Sequence, residues 1–263
     1  MEKRTDKNSY TVIFAIGMVL VVGTLLAFLA GFLKPTIDEN KRLEKQQNIL
    51  YVMGINNNDE GSAVFVAPKE APEKFKEFIK EQLVLEVENG KVTSQKSREE
   101  FIESDGMEPY LIDVKKEQTR AKQGKARKLP LFVGEKDGKT FYIAPIRGKG
   151  LWDAIWGYIA MDENMVIQGA YFDHRGETAG LGANIKQRYF MDDFTGEHLL
   201  TESGEFVGIT VSKTNADPLN NDKQDYEVDA IAGATITGDG VSAMIKKDLR
   251  LYVPYFKNLK NRG

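Results

Sequence analysis

The sequence predicts an α+β protein: one membrane-spanning helix, then a domain with a mostly antiparallel sheet flanked by helices. Three observations predict it. A long uncharged apolar run lies near the N-terminus. Downstream, segments rich in β-branched and aromatic residues mix with amphipathic ones without a regular βαβ rhythm. A helical pattern, "GVSAMIKKDLRLYVPYF", then closes the chain. No internal repeat is apparent.

The apolar run from Tyr10 to Leu33 is long enough to cross a bilayer, and no charge occurs between Asn8 and Leu33. A cleaved signal peptide would have a shorter apolar region and a small-residue cleavage site, and "LAFLAGFLKP" has no A-x-A. An uncleaved anchor is therefore expected. Basic residues flank it on both sides, Lys3, Arg4 and Lys7 before and Lys34, Lys41, Arg42 and Lys45 after, so the charge rule gives no orientation.

Pro35 is expected to break the span. A helix is predicted over Thr36–Ile55, with Leu43, Ile49, Leu50 and Met53 as its apolar stripe and Gly54 as its stop. "AVFVA" reads as a short strand and Glu73–Leu83 as an amphipathic helix. Lys115–Lys128 carries seven basic residues, one acid and no aromatic, the pattern of a solvated linker. "KTFYIAPI", "MVIQGAYF" and "FVGITVSK" read as strands, and Leu151–Met161 as a strand with a bend. Leu181–Phe194 reads as a helix, and the closing helix is expected to end near Pro254. These expectations divide the chain into a tail (1–9), the span (10–33), a mixed connecting region (34–128) and a C-terminal domain (129–263).

Composition excludes several chemistries. The chain has no cysteine and two histidines, so no thiolate zinc site, cysteine-ligated iron–sulfur cluster, c-type haem or cysteine nucleophile is available. A net charge of −3 advertises no nucleic-acid partner. His174 lies beside Asp173 and near Glu177, but no G-x-S-x-G supplies a serine nucleophile, and His198 is expected to be exposed. "DYEVD" alternates acids, yet Ala230 and Ile236 stand where a calcium loop needs Gly and Glu.

Two glycine-rich segments remain. "HRGETAGLGANI" (174–185) is either an ordinary strand-to-helix turn with Thr178 as its cap or a loop whose glycines admit a ligand to the backbone. "DAIAGATITGDGV" (229–241) is either a turn capped by Thr237 or Asp239, or a phosphate site beside Thr235 at a helix start. It lacks the lysine of a nucleotide-binding loop, and no G-x-G-x-x-G fingerprint occurs. Trp152 and Trp156 suit core packing, or one of them borders a flat aromatic ligand.

The order "GKGLW", "ETAGLG", "DAIAGAT" resembles the FMN-binding domain of the C subunits of sodium-translocating NADH:quinone oxidoreductases, which the Rnf complex G subunit shares. "GKGLW" and the single N-terminal span favour the NADH:quinone oxidoreductase side of that family. The resemblance implies FMN joined covalently by its phosphate to Thr235, within a motif that falls on Asp229, Ala232, Gly233, Ala234 and Thr235. Ala232 stands where the family has Ser or Thr, and Ala179 where it has Pro. It further implies that Glu177, Thr178, Gly180, Leu181 and Gly182 lie against the flavin. Trp152 would border the ring, and Lys213 would lie near its polar edge or phosphate. The implied function is electron transfer among subunits B, D and E of an assembly with A and F, after modification by a flavin transferase. The implied location is the bacterial inner membrane, N-terminus cytoplasmic and domain periplasmic. The alternatives are an Rnf-type carrier and a membrane-anchored phosphate-binding module without redox function.

Overall fold

The computed structural model describes residues 8–59, 61–215, 217 and 220–260. Most of the expected N-terminal tail, with Lys3, Arg4 and Lys7, lies outside them. The chain divides at Leu43/Glu44 into two compact units.

The described part of the first unit is helix, the N-terminal part of α1 (Asn8–Tyr51). Its most apolar 18-residue window has a mean hydropathy of 2.8, with every apolar side chain there exposed. Pro35 lies inside α1 and does not end it. A proline removes one ladder hydrogen bond, and here intact helix on both sides offsets that loss.

The second unit is built on a six-stranded antiparallel sheet in the order β2-β1-β3-β4-β5-β6. The strands are β1 (Ile79–Glu88), β2 (Lys91–Lys96), β3 (Arg127–Lys136), β4 (Lys139–Lys149), β5 (Ala154–Met161) and β6 (Ile167–His174). β1 pairs along its length with β3, so the sheet draws strands from both sides of residue 128. β4 and β5 are buried on both faces, which accounts for their nearly continuous apolar sequences.

Several expectations are corrected here. The helix expected over Glu73–Leu83 stops at Phe78: α2 covers Ala71–Phe78, and Ile79–Leu83 opens β1. Pairing with β3 outweighs the helical spacing of that segment. "AVFVA" forms no strand beyond one bridge, Phe65 to Asn56. Lys115–Lys128 is not a solvated linker. It holds α4 (Val114–Lys122), whose first N–H groups are capped by Asp113, and the start of β3. Its Glu117 and Arg127 are buried, and Arg127 reaches Asp248 at 2.9 Å. His198 is half-buried and bridges to Val166.

After α3 (Arg98–Asp105) and α4, the helices that follow β6 pack on β4 and β6, and the last of them also reaches β2. The helix expected over 181–194 is two pieces, a 3₁₀ turn (Gly182–Lys186) and α5 (Arg188–Asp193), separated at Gln187. α5 is fixed on β6 by Phe172, Phe190 and Phe194, whose ring centroids lie 5.0–5.7 Å apart. The "FVGITVSK" strand shrinks to β7 (Thr210–Val211), paired in parallel with β8 (Glu227–Val228). α6 (Thr235–Leu249) packs against β4 and β7. Pro254 does not end the closing helix but sits at the start of α7 (Val253–Lys260), where its missing N–H costs nothing.

Candidate functional site

Three loops meet at one end of the sheet. The first is the turn from β4 to β5, residues 150–153. The second follows β6, residues 175–183. The third, residues 229–234, leads into α6. They enclose a cleft of about 250 Å³.

Glu177 joins all three. Its carboxylate accepts hydrogen bonds from the backbone N–H of Trp152 (2.9 Å), Leu151 (3.3 Å) and Asp153 (3.4 Å). The Thr237 hydroxyl, in the first turn of α6, donates to the same carboxylate at 2.5 Å. The Glu177 N–H donates to His174 Nδ1 at 3.2 Å, which gives His174 a structural role. Only 7% of Glu177 is exposed. Burial pushes its carboxyl up, but the Thr237 hydroxyl and the three N–H groups outweigh burial and hold it below the usual value. This close set leaves no room beside it: a Cβ on Gly182 would lie 2.5 Å from the Thr237 hydroxyl and 2.6 Å from Glu177.

The 175–183 loop turns back on itself because the Thr178 carbonyl accepts from both Leu181 and Ala183, each at 3.1 Å. The Thr178 hydroxyl is not a helix cap; it accepts from the Trp152 indole N–H at 3.1 Å. That bond holds an indole 65% exposed at the lip of the cleft. Trp156 lies within β5, half-buried.

The third loop brings Thr235 to the first residue of α6, exposed. Gly233, at φ +70°, makes the turn into the helix under the Leu181 side chain. Neither Thr237 nor Asp239 caps α6. The residue before the helix is Ala234, with no side-chain cap, and the Thr237 hydroxyl is committed to Glu177. The first N–H groups of α6 therefore face the cleft uncapped.

Of the sequence-predicted residues, Glu177, Thr178, Leu181, Gly182, Gly233, Ala234 and Thr235 line the cleft together. Trp152 joins them through Thr178, and Gly180 supplies the turn at φ +76°. Two do not line it. Lys213 is exposed beyond β7, and Asp229 is half-buried, its N–H donating to the Asp193 carboxylate at 3.1 Å. Sequence reasoning missed Leu151 and Ile236, exposed apolar residues on the rim, and the role of Thr237. Ile236 had a signal: an apolar residue between two threonines at a helix start.

Residues 150–250 match the FMN-binding domain family, a span that contains all three loops and leaves only Gly148 and Lys149 of the "GKGLW" motif outside. The C subunit of the Na(+)-translocating NADH-quinone reductase of Neisseria meningitidis serogroup B is 29% identical over 273 residues, covering 100% of this chain and 99% of the relative. The C subunit from Vibrio alginolyticus is 29% identical over 92% of this chain and 90% of its own length. The crystal structure of the Parabacteroides distasonis C subunit is 33% identical, with a TM-score of 0.66, covering 85% of this chain and 96% of the other. The chain belongs to the C-subunit family of Na(+)-translocating NADH-quinone reductases.

As a member of that family, the chain has its cleft inside the matched FMN-binding region and its apolar helix outside it. That helix and the membrane-complex relatives fit a membrane anchor.

Proposed function

We propose that this chain is the C subunit of a sodium-pumping NADH:quinone oxidoreductase, relaying electrons through FMN held by a phosphoester to Thr235. The single observation that carries the linkage is the contrast between two neighbouring hydroxyls. Thr235 is exposed at the cleft, whereas Thr237 is 1% exposed and already donates to Glu177.

The residues present fit the group. A phosphate on Thr235 would lie at the start of α6, whose first N–H groups no side chain caps. Leu151, Leu181 and Ile236 offer apolar side chains to a flat ring, and the Trp152 indole stands exposed beside them. Bound there, FMN supplies one- and two-electron transfer. The protein's residues position it: Glu177 and Thr237 fix the loops, and Thr178 holds Trp152 in place. No side chain at the cleft is required to move a proton. Asp229 would act in maturation, as part of the segment that a flavin transferase reads, rather than as a contact. Lys213, exposed beyond β7 and outside the cleft lining, is given no part in holding the phosphate.

The neighbours in this reading are subunits B, D and E, within an assembly that includes A and F. The N-terminus faces the cytoplasm and the domain the periplasm. A reporter active on only one side of the membrane, fused at the C-terminus, tests the orientation.

The test of the linkage is in-gel flavin fluorescence of the denatured full chain, co-produced with a flavin transferase. The parent chain and Thr237→Val fluoresce, and Thr235→Ala is dark. Fluorescence in Thr235→Ala together with a dark Thr237→Val would assign the acceptor to Thr237. A dark parent chain would favour a binding module without covalent flavin.

A further inference from the structure

A site that receives a phosphate usually offers a cation, and this cleft offers the reverse. No Lys or Arg is among the described residues that line it, while a buried carboxylate is. The nearest cations along the 173–186 segment are already paired: Arg175 with Asp153 at 3.5 Å and Lys186 with Asp173 at 3.1 Å. The one feature that attracts an anion is the N-terminus of α6, worth roughly half a positive charge. Glu177 sits against that same first turn, through Thr237 at 2.5 Å, and brings a full negative charge.

We infer that Glu177 is a charge filter: it cancels the field of α6 and makes the cleft a poor site for free FMN and other phosphate dianions. The inference rests on the reading that the cleft takes FMN. A free FMN phosphate carries close to two negative charges at neutral pH, and a phosphodiester carries one. Repulsion from Glu177 therefore weighs more on the free cofactor than on the attached one. Its burial, away from solvent screening, makes the effect persist at moderate salt. The bond to Thr235 then does what reversible binding cannot, and unattached phosphate compounds are kept out of the cleft. Glu177 serves at once as the residue that orders the loops and the one that sets the cleft's charge.

The two roles separate by experiment, using the full chain in detergent with the acceptor removed by Thr235→Ala. FMN and riboflavin, which share a ring but differ in the phosphate, are titrated into that chain and into Thr235→Ala/Glu177→Gln by fluorescence quenching. Glutamine keeps an acceptor for the Trp152 and Asp153 N–H groups and an NH2 that donates to the Thr237 hydroxyl, so the loops stay joined, with only the 3.3 Å bond from the Leu151 N–H lost. The expected result is about tenfold tighter FMN binding with riboflavin unchanged, the gain persisting at moderate salt. Thr235→Ala/Thr237→Val, which loosens the same contact but keeps the charge, gives no such gain. Equal FMN affinities with and without Glu177, or a parallel rise for riboflavin, overturn the filter. So does failure of every variant to bind FMN. The covalent fluorescence of the parent chain reports separately on the cofactor reading, so either one can fail alone.

Discussion

Two buried glutamates in the same unit show opposite electrostatics. Glu177 is 7% exposed and Glu197, between α5 and β7, is fully buried. Glu177 gathers three N–H groups and a hydroxyl, and its carboxyl is held below the usual range. Glu197 accepts from Asn220 at 2.9 Å and has Lys223 only at 3.6 Å, and its Oε2 has no partner. Burial, with Asp225 adding repulsion, outweighs Asn220 and Lys223 and pushes it up to about 7. Donors, more than depth, therefore decide whether a buried carboxylate keeps its charge. The chain has placed the well-served one at the cleft.

The largest effect comes from a third buried carboxylate, Asp248, which extends the contrast by adding a cation. It takes Arg127 (2.9 Å), the Arg147 N–H (2.8 Å) and Gln118 (3.1 Å), joining α4, β3, β4 and α6. Asp248→Ala leaves Arg127 buried and unpaired, and denaturant unfolding of the full chain in detergent should show a loss of about 3–5 kcal/mol.

Glu197→Gln should instead stabilise, by ~1–3 kcal/mol above about pH 7. The sign follows from the raised carboxyl: the folded chain holds this proton more tightly than the unfolded one. Stability therefore falls as pH rises from 4.5 to about 7, and the substitution removes that fall. Below the ordinary value of 4.5 the gain should vanish; a gain that persists there would mean that Glu197 is not protonated by burial. Glu177 acts in the opposite window. Its lowered carboxyl contributes stability that is fully present above the ordinary value of 4.5 and is lost as pH falls from there through the lowered folded value.

Thr237→Val should cost about 1 kcal/mol, the worth of one hydrogen bond to a charged acceptor less the valine's packing gain. Smallest is Trp152→Phe, which removes the exposed bond to Thr178 and should shift unfolding by less than about 0.5 kcal/mol. A larger shift would mean that the lip of the cleft, not Glu177, holds the loops together.

Much of the architecture was legible in the sequence. The apolar span and the strands 139–146 and 165–172 have one dominant periodicity, and the structure keeps them apart from small changes at their ends. Segments with two readings failed. Glu73–Leu83 has helical spacing, yet its second half is a strand because β3 offers it a partner. The basic stretch 115–128 reads as solvated because its buried arginine has its acid 121 positions away in sequence. At the cleft, the motifs located the loops, but nothing in "ETAGLG" says which groups its glutamate will meet.

The anchor, the mixed α+β class and the glycine-rich segments around Thr235 are all readable from the chain alone. Each is written in composition or in short-range spacing. Which threonine is free is settled at another level. Thr235 and Thr237 are two residues apart and chemically alike. About half a helical turn separates an exposed hydroxyl from one buried against Glu177, 60 positions away. That assignment depends on how α6 rolls against the end of the sheet, a property of packing that local sequence does not contain.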